Sequence, residues 1–206
     1  MTAGIGTRVR EYYDGKLRAH GATPAGVDWN SRESQELRFE QLARLWEREP
    51  GASVVDYGCG YGAMATWLRA RGHGGRYTGF DVSAMMADAA RRETAGLDNC
   101  HFTTMRSELE PADYAIASGI FNVKLETPSS EWQAYVLETI DDIASLGRRG
   151  CAFNALTLYS DPERRRADLH YADPLELFDF CRRKYSRQVS LLHDYPLYEF
   201  TIIVRC

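Results

Sequence analysis

The sequence predicts an open α/β fold, in which a mostly parallel sheet of seven strands carries helices on both faces and ends in an antiparallel hairpin. Short β-branched segments alternate with helical segments from residue 52 onward, a pattern typical of βαβ units. A glycine-rich segment, residues 58–62, follows the first strand and precedes a helix. The last two strand-like segments lie on either side of Tyr195 and Pro196, which predicts a hairpin rather than another crossover.

The periodicity of the apolar residues places the individual elements. Strands are predicted at residues 52–57, 76–81, 101–104, 114–118, 151–158, 189–192 and 197–204. Helices are predicted over residues 31–48, from residue 64 to Gly72, and after Ser83, Ser130 and Asp173. Two of these starts have the spacing of a capping box, formed by Asn30 with Glu33 and by Ser130 with Gln133.

The composition changes near Pro50 and Gly51, where the first predicted long helix stops. Residues 1–50 are charged and helical in pattern, whereas residues 51–206 show the alternation of strands and helices. The sequence therefore divides into an N-terminal helical segment, residues 1–50, and an α/β domain, residues 51–206.

The charge balance and the apolar patterning exclude several classes of protein. The 206 residues include 25 Lys and Arg against 29 Asp and Glu, a formal net charge of −4. Proteins that follow nucleic-acid phosphates carry a basic surface, so we expect no nucleic-acid partner. No apolar run approaches the roughly 18 residues of a membrane span, and the N-terminus lacks a secretory signal. We therefore expect a cytoplasmic protein without a membrane partner, as a monomer or a homodimer.

The five cysteines are scattered and include no C-x-x-C pair, which argues against a zinc site and a disulfide framework. No other cluster of metal-ligating residues is visible. We therefore expect free thiols and no metal.

Chemistry is expected at the carboxyl ends of the parallel strands, where ligands of open α/β sheets bind. Gly58 and Gly60 follow the first strand and would let the backbone approach a ligand closely. Asp81 ends the second strand, 21 residues after Gly60, where a carboxylate can accept both hydroxyls of a ribose. This combination predicts a ligand of the adenosine type.

A nicotinamide cofactor has to be weighed here, because Gly58, Gly60 and Ala63 nominally satisfy the dinucleotide fingerprint. Two features argue against it. Asp56 lies two residues before the first glycine, where a carboxylate suits a cationic ligand better than a pyrophosphate. The chain is also short for a dehydrogenase and shows no second domain for a hydride acceptor.

Three segments together resemble motifs of the class I S-adenosylmethionine-dependent methyltransferases, which have a Rossmann-like fold. The segments are VVDYGCGYG at 54–62, GFDVSAMM at 79–86 and SGIFN at 118–122, and the resemblance extends over residues 52–205. It implies S-adenosylmethionine as the cofactor and a small-molecule acceptor. The implied cofactor-binding residues are Asp56, Gly58, Cys59, Gly60, Asp81, Val82, Met85, Arg106, Ser107 and Ser118. Arg106 or Ser107 stands where the family usually has an aspartate at the adenine edge.

The resemblance also implies a role for the N-terminal segment, because family members that act on small molecules often carry helices that close over the cofactor. Residues 12–46 resemble such a lid. Gln35 or Arg38 is expected to meet the cofactor carboxylate, since arginine binds carboxylates bidentately. The expected substrate-binding residues are Tyr13, Trp29, Phe121 and Tyr171. An ordinary packing role for Trp29 and a solvated Arg38 are the alternatives.

The predicted activity is methyl transfer to an oxygen or nitrogen of a small molecule in specialised metabolism. A general base is needed only where the acceptor atom carries a proton at the working pH. The candidate bases are His170, Tyr171 and His193, with Lys124 and Glu126 nearer the loop after the fourth strand. Among them His170 is preferred, and Asn122 is expected at the methyl-transfer face. Two other functions stay open: a catalytically silent subunit that binds S-adenosylmethionine, and a nicotinamide-dependent oxidoreductase.

Overall fold

The computed structural model describes residues 2–46 and 49–206, and its centre is a seven-stranded sheet. The strands are β1 (Val54–Tyr57), β2 (Tyr77–Phe80), β3 (Cys100–Thr103), β4 (Ala112–Ala117), β5 (Gly147–Leu156), β6 (Gln188–Leu192) and β7 (Glu199–Arg205). Their order across the sheet is β3-β2-β1-β4-β5-β7-β6. Strand β7 pairs antiparallel with both β5 and β6, whereas the pairs among β1 to β5 are parallel. The predicted fold class and the terminal hairpin are confirmed.

Six helices connect and flank these strands within the described residues. They are α1 (Thr2–His20), α2 (Arg32–Ala43), α3 (Ala63–Ala70), α4 (Ala84–Glu93), α5 (Ser129–Leu146) and α6 (Pro174–Lys184). Single 3-10 turns occur at Pro24–Val27, Arg106–Glu108 and Pro162–Arg164.

The helices cover both faces of the sheet, as the near-continuous apolar strands require. On one face, Trp132 and Ile140 of α5 pack in a buried cluster with Phe153 of β5. On the other face, Phe39 and Leu42 of α2 join the buried cluster that contains α3. Helix α2 therefore belongs to the core of the α/β domain, although it lies N-terminal to the composition break at residue 50.

Two of the predicted helix starts are confirmed and two are wrong. The Ser83 hydroxyl accepts a hydrogen bond from the Met86 amide at 3.0 Å and caps α4, and the Asp173 side chain caps α6. Helix α2 is capped by Ser31 rather than Asn30, because the extended Ser31 places its hydroxyl 3.1 Å from the Ser34 amide. Helix α5 starts without a side-chain cap.

The absence of a capping box at α5 has a local cause. The helix begins two residues early, at Ser129, directly after Pro128. The proline ring fixes φ, here at −54°, and the Pro128 carbonyl accepts the first helical hydrogen bond, from the Trp132 amide at 2.9 Å. The predicted Ser130 cap is therefore displaced into the first turn.

The N-terminal elements lie across the carboxyl ends of the central strands. The Ser83 hydroxyl, at the start of α4, donates a hydrogen bond to Asp14 of α1. Tyr12 and Lys16 of the same helix bind the Asp28 carboxylate, at 2.7 and 2.5 Å, and so fix the loop between the 3-10 turn and α2. This arrangement encloses the edge of the sheet where a ligand is expected.

Candidate active site

A cleft of about 920 Å³ opens at the carboxyl ends of β1, β2 and β4. Its floor is formed by the glycine loop after β1, by residues 81–83 after β2, and by residues 118–120 after β4. Its roof comes from α1, the 27–29 loop and α2. We call this space the first cavity.

The glycine loop has a left-handed backbone at Gly58 and Gly60, where glycine is favoured. Gly58 has φ of +83°, and a Cβ there would lie 2.3 Å from the Ile120 Cγ2 atom. Gly60 has φ of +53° and donates its amide to the Asp81 Oδ2 atom at 2.9 Å. Left-handed backbone without side chains leaves room for a ligand against the loop.

Asp81 lies at the end of β2 and closes this arrangement. Its second oxygen accepts the Ser83 amide at 2.9 Å, so each carboxylate oxygen already holds one backbone N–H and keeps a lone pair. Burial raises the pKa of Asp81 to about 6, although the bonds from the two amides lower it. The carboxylate is therefore fixed in orientation and able to accept further donors.

Asp56 and Ser118 supply polar atoms that lack a partner in the described part of the chain. Asp56 is fully enclosed, and Tyr77 donates its hydroxyl to the Oδ2 atom, whereas Oδ1 is buried without a hydrogen bond. Burial raises the pKa of Asp56 to about 7. The Ser118 hydroxyl is likewise buried and unpartnered. Both residues line the first cavity, so a polar ligand would satisfy atoms that are costly to leave unbonded.

The roof adds a residue that the sequence analysis missed. Arg10 of α1 lines the first cavity and forms no hydrogen bond or ion pair with any residue in the described ranges. It lies one helical turn before Tyr13, whose buried hydroxyl has a pKa raised by burial. The helical periodicity of the sequence could have placed Arg10 on the same helix face as Tyr13. The sequence does not tell which end of the cofactor that face meets.

A second cavity of about 890 Å³ adjoins the first. Four residues line both spaces and lie at the boundary between them: Tyr13, Val27, Trp29 and Gly119. At this boundary the Trp29 indole packs closely on the Gly119 backbone: a Cβ on Gly119, which has φ of +72°, would lie 2.2 Å from the ring. The second cavity is lined further by Asn30, Arg38, Asn122, Ser160, Arg164, Arg166, Tyr171, Tyr198 and Glu199, among others.

The base of the second cavity is a buried charge network. Glu199 at the start of β7 accepts Arg38 Nε at 2.8 Å and Arg38 Nη2 at 2.9 Å. The same carboxylate accepts the Asn122 amide at 3.2 Å, and Asn122 in turn accepts the Leu156 N–H at 3.0 Å. The Arg38 guanidinium lies 3.9 Å from the centre of the Trp29 ring. The network thus ties the roof to the sheet.

The predicted site residues separate into three groups. The first cavity brings together Asp56, Gly58, Cys59, Gly60, Asp81, Val82, Ser118, Tyr13 and Trp29. The second cavity contains Arg38, Asn122 and Tyr171, together with Tyr13 and Trp29. Neither cavity is lined by Met85, Arg106, Ser107, Phe121 or His170.

Two of the residues outside the cavities, Arg106 and Phe121, have identifiable partners. Arg106 forms a bidentate pair with Asp142 of α5, and Phe121 is buried in the core edge-to-face with Phe153. Met85 is also outside the first cavity, which is lined instead by Met86, the next residue of α4. Arg38 is occupied by Glu199, so the structure does not place its guanidinium against the first cavity.

His170 lies in an extended segment whose neighbours on both sides, Leu169 and Tyr171, line the second cavity. Leu169 forms a bridge with Val123, and the His170 amide donates to the Asn122 carbonyl at 2.8 Å. His170 itself does not line the second cavity. Burial and the Lys124 charge lower its pKa.

The sheet order, with a glycine loop after β1 and a fixed carboxylate after β2, defines a Rossmann-like fold of the class I methyltransferase type. The comparisons with known proteins agree. The methyltransferase-domain family matches residues 29–185. The Mycobacterium tuberculosis protein Rv1506c, named as a methyltransferase, is 51% identical over 153 residues, which are 74% of this chain and 92% of that protein. The chain belongs to the family of class I S-adenosylmethionine-dependent methyltransferases.

Solved structures share this fold at low sequence identity. One is magnesium protoporphyrin IX methyltransferase from Synechocystis PCC 6803 with bound S-adenosylhomocysteine, with a TM-score of 0.68 and 20% identity over 98% of this chain and 100% of that one. Another is the N-methyltransferase NodS from Bradyrhizobium japonicum WM9, with a TM-score of 0.68 and 16% identity over 96% and 97%. Within the described residues, no group of side chains is arranged to hold a metal ion and no helix is long and apolar enough to cross a membrane.

Proposed function

We propose that the protein transfers a methyl group from S-adenosylmethionine in the first cavity to a small-molecule acceptor in the second. The observation that carries the proposal is the pair of adjoining cavities, whose linings share Tyr13, Val27, Trp29 and Gly119. Solved neighbours include magnesium protoporphyrin IX methyltransferase and N-acetylserotonin methyltransferase, and these names support a small-molecule acceptor. Specialised metabolism is the setting that we propose.

The first cavity fits the cofactor at several points. The fixed Asp81 carboxylate has free lone pairs for the ribose hydroxyls, and Val82 beside it offers an exposed apolar side chain for the adenine. The unpartnered Asp56 oxygen and the open glycine loop suit the cationic methionyl end. We assign the cofactor carboxylate to Arg10 rather than Arg38, because Arg10 lines this cavity without a competing anion in the described ranges.

The chain's own part in the reaction is alignment and exclusion of water. The bound cofactor supplies an electrophilic methyl group on its sulfonium. The Trp29 ring, which contacts both the Arg38 guanidinium and the Gly119 backbone, forms a wall at the boundary of the two cavities. Holding both reactants in line across it can account for about 7–11 kcal/mol of barrier lowering.

We further propose that the N-terminal elements act as a lid. Val27 and Trp29 lie against Gly60 and Gly119, so a ligand in the first cavity is covered once these contacts form. Because α2 is part of the core, the moving part of the lid is restricted to the residues before it. Opening and closing of this part would admit the cofactor and then shield the methyl group from water.

The cofactor assignment is tested by calorimetric titration of S-adenosylhomocysteine into wild type and Asp81→Asn. Loss of a charged hydrogen-bond acceptor should weaken binding by about 1–3 kcal/mol. Asp88→Asn, on the exposed surface of α4, is the matched control and should bind normally. Equal affinity of wild type and folded Asp81→Asn would refute the proposed cofactor site.

A further inference from the structure

The second cavity contains several ionisable side chains, and the structure shows which of them are free to take part in chemistry. Among the described residues, its lining includes the carboxylates Asp28 and Glu199 and the arginines Arg38, Arg164 and Arg166. The inference below rests on the proposed function, because it concerns the acceptor that this cavity holds.

Neither carboxylate of the second cavity is available as a general base. Glu199 is fully buried, and both of its oxygens are bound by Arg38. Asp28 is bound by the Lys16 ammonium at 2.5 Å and by the Tyr12 hydroxyl at 2.7 Å. Both oxygens of each carboxylate are therefore already engaged by donors of the protein itself.

The tyrosines and the nearest histidine do not replace them. Burial raises the pKa of Tyr13 far above neutrality, and hydrogen bonding to Asp161 raises that of Tyr198. The Tyr171 hydroxyl accepts the backbone N–H of Arg166 at 3.0 Å. His170 does not line the cavity. The described lining therefore offers no group that can remove a proton from an acceptor at neutral pH.

Two arginines at the second cavity keep hydrogen-bond donors for a ligand. Arg164 makes no side-chain hydrogen bond within the described ranges, and its nearest carboxylate oxygen, on Asp161, is 3.8 Å away. Arg166 binds Asp168 through Nε and Nη2, which leaves its Nη1 donors free. Guanidinium groups are well matched to carboxylates, and they repel an ammonium.

We infer that the acceptor is the carboxylate of a small organic acid and that the product is its methyl ester. A carboxylate oxygen is already deprotonated at neutral pH, so it can attack without a base. One oxygen forms a bond to the methyl carbon while the bond between that carbon and the sulfonium sulfur breaks, and the electron pair stays on sulfur. No proton moves, and the products are a neutral ester and S-adenosylhomocysteine. Alcohols and ammonium groups would each require a base that this cavity lacks.

The experiment incubates the full-length protein with S-adenosylmethionine labelled in the methyl group and with separate pools of carboxylic acids, phenols, amines and alcohols. We expect label in the acid pool only, in a product that releases labelled methanol on mild alkaline hydrolysis, as esters do and ethers and N-methyl products do not. Label confined to the other pools, or none in the acid pool from protein that binds the cofactor, would overturn the inference. Failure to bind the cofactor would instead refute the proposed function.

Variants separate the arginines from a general effect of charge. Arg164→Gln and Arg166→Gln should each raise the KM for the acid about tenfold, while the affinity for S-adenosylhomocysteine stays unchanged. Arg182→Gln is the matched control, because Arg182 is exposed on α6 and lines neither cavity. An unchanged KM in both cavity variants would assign the acceptor to another part of the protein and overturn the proposal.

Discussion

The buried pair of Arg38 and Glu199 gives the sharpest prediction about stability. Glu199 is completely inaccessible to solvent and accepts three hydrogen bonds, two of them from a cation. Glu199→Gln keeps the shape of the side chain but leaves the Arg38 charge without a counterion in the protein interior. Removing one partner of such a pair costs about 3–5 kcal/mol. We therefore expect a drop of this size in the free energy of unfolding.

The assay is urea denaturation at pH 7, and each variant has a matched comparison. Glu138→Gln removes an exposed carboxylate on α5 and should change the free energy of unfolding by less than about 0.5 kcal/mol. The double variant Arg38→Met with Glu199→Met removes both charges and should recover most of the stability, since apolar replacement of a buried ion pair is often neutral. A Glu199→Gln protein as stable as wild type, or a double variant less stable than Glu199→Gln, would refute the reasoning.

Three further predictions concern the first cavity. Arg10→Ala should weaken S-adenosylhomocysteine binding by about 1.5–3 kcal/mol, measured by calorimetry, and equal binding would remove Arg10 from the site. Gly58→Ala should lower the free energy of unfolding by more than the roughly 1–2 kcal/mol that a left-handed backbone costs a non-glycine residue, because the new Cβ also clashes with Ile120. Adding Ile120→Ala should relieve the clash but not the backbone strain. Burial raises the pKa of Asp56 to about 7, so between pH 7.5 and pH 5.5 the unliganded fold binds more protons than the unfolded chain. The free energy of unfolding should therefore rise by about 1–2 kcal/mol as the pH falls from 7.5 to 5.5. Urea midpoints that show the same rise in Asp56→Asn would contradict this cause.

The fold could be predicted from the sequence because its determinants are local. Strand-forming runs, the Ser83 and Asp173 caps and the glycine loop each lie within a few residues of the structure that they specify. The Gly60 and Asp81 pairing is also short-range, since both residues belong to one βαβ unit.

The acceptor side could not be predicted in the same way, because its contacts join distant parts of the chain. Arg38 and Glu199 are 161 positions apart, and an arginine on a polar helix has no local feature that predicts a buried partner. Phe121 was expected to face the substrate, but its side chain is buried in the core. At this edge of the sheet, a shift of one residue along the chain decides whether a side chain faces the cavity or the protein interior.

The proposed methyl transfer is tested most directly by parallel calorimetric titrations of the 206-residue protein with S-adenosylmethionine, S-adenosylhomocysteine and NADH. Since the unpartnered Asp56 oxygen suits a cationic cofactor, we predict micromolar binding of the first two and none of NADH. Binding of NADH alone would mean that the glycine loop holds a pyrophosphate, and it would contradict the proposed methyl transfer.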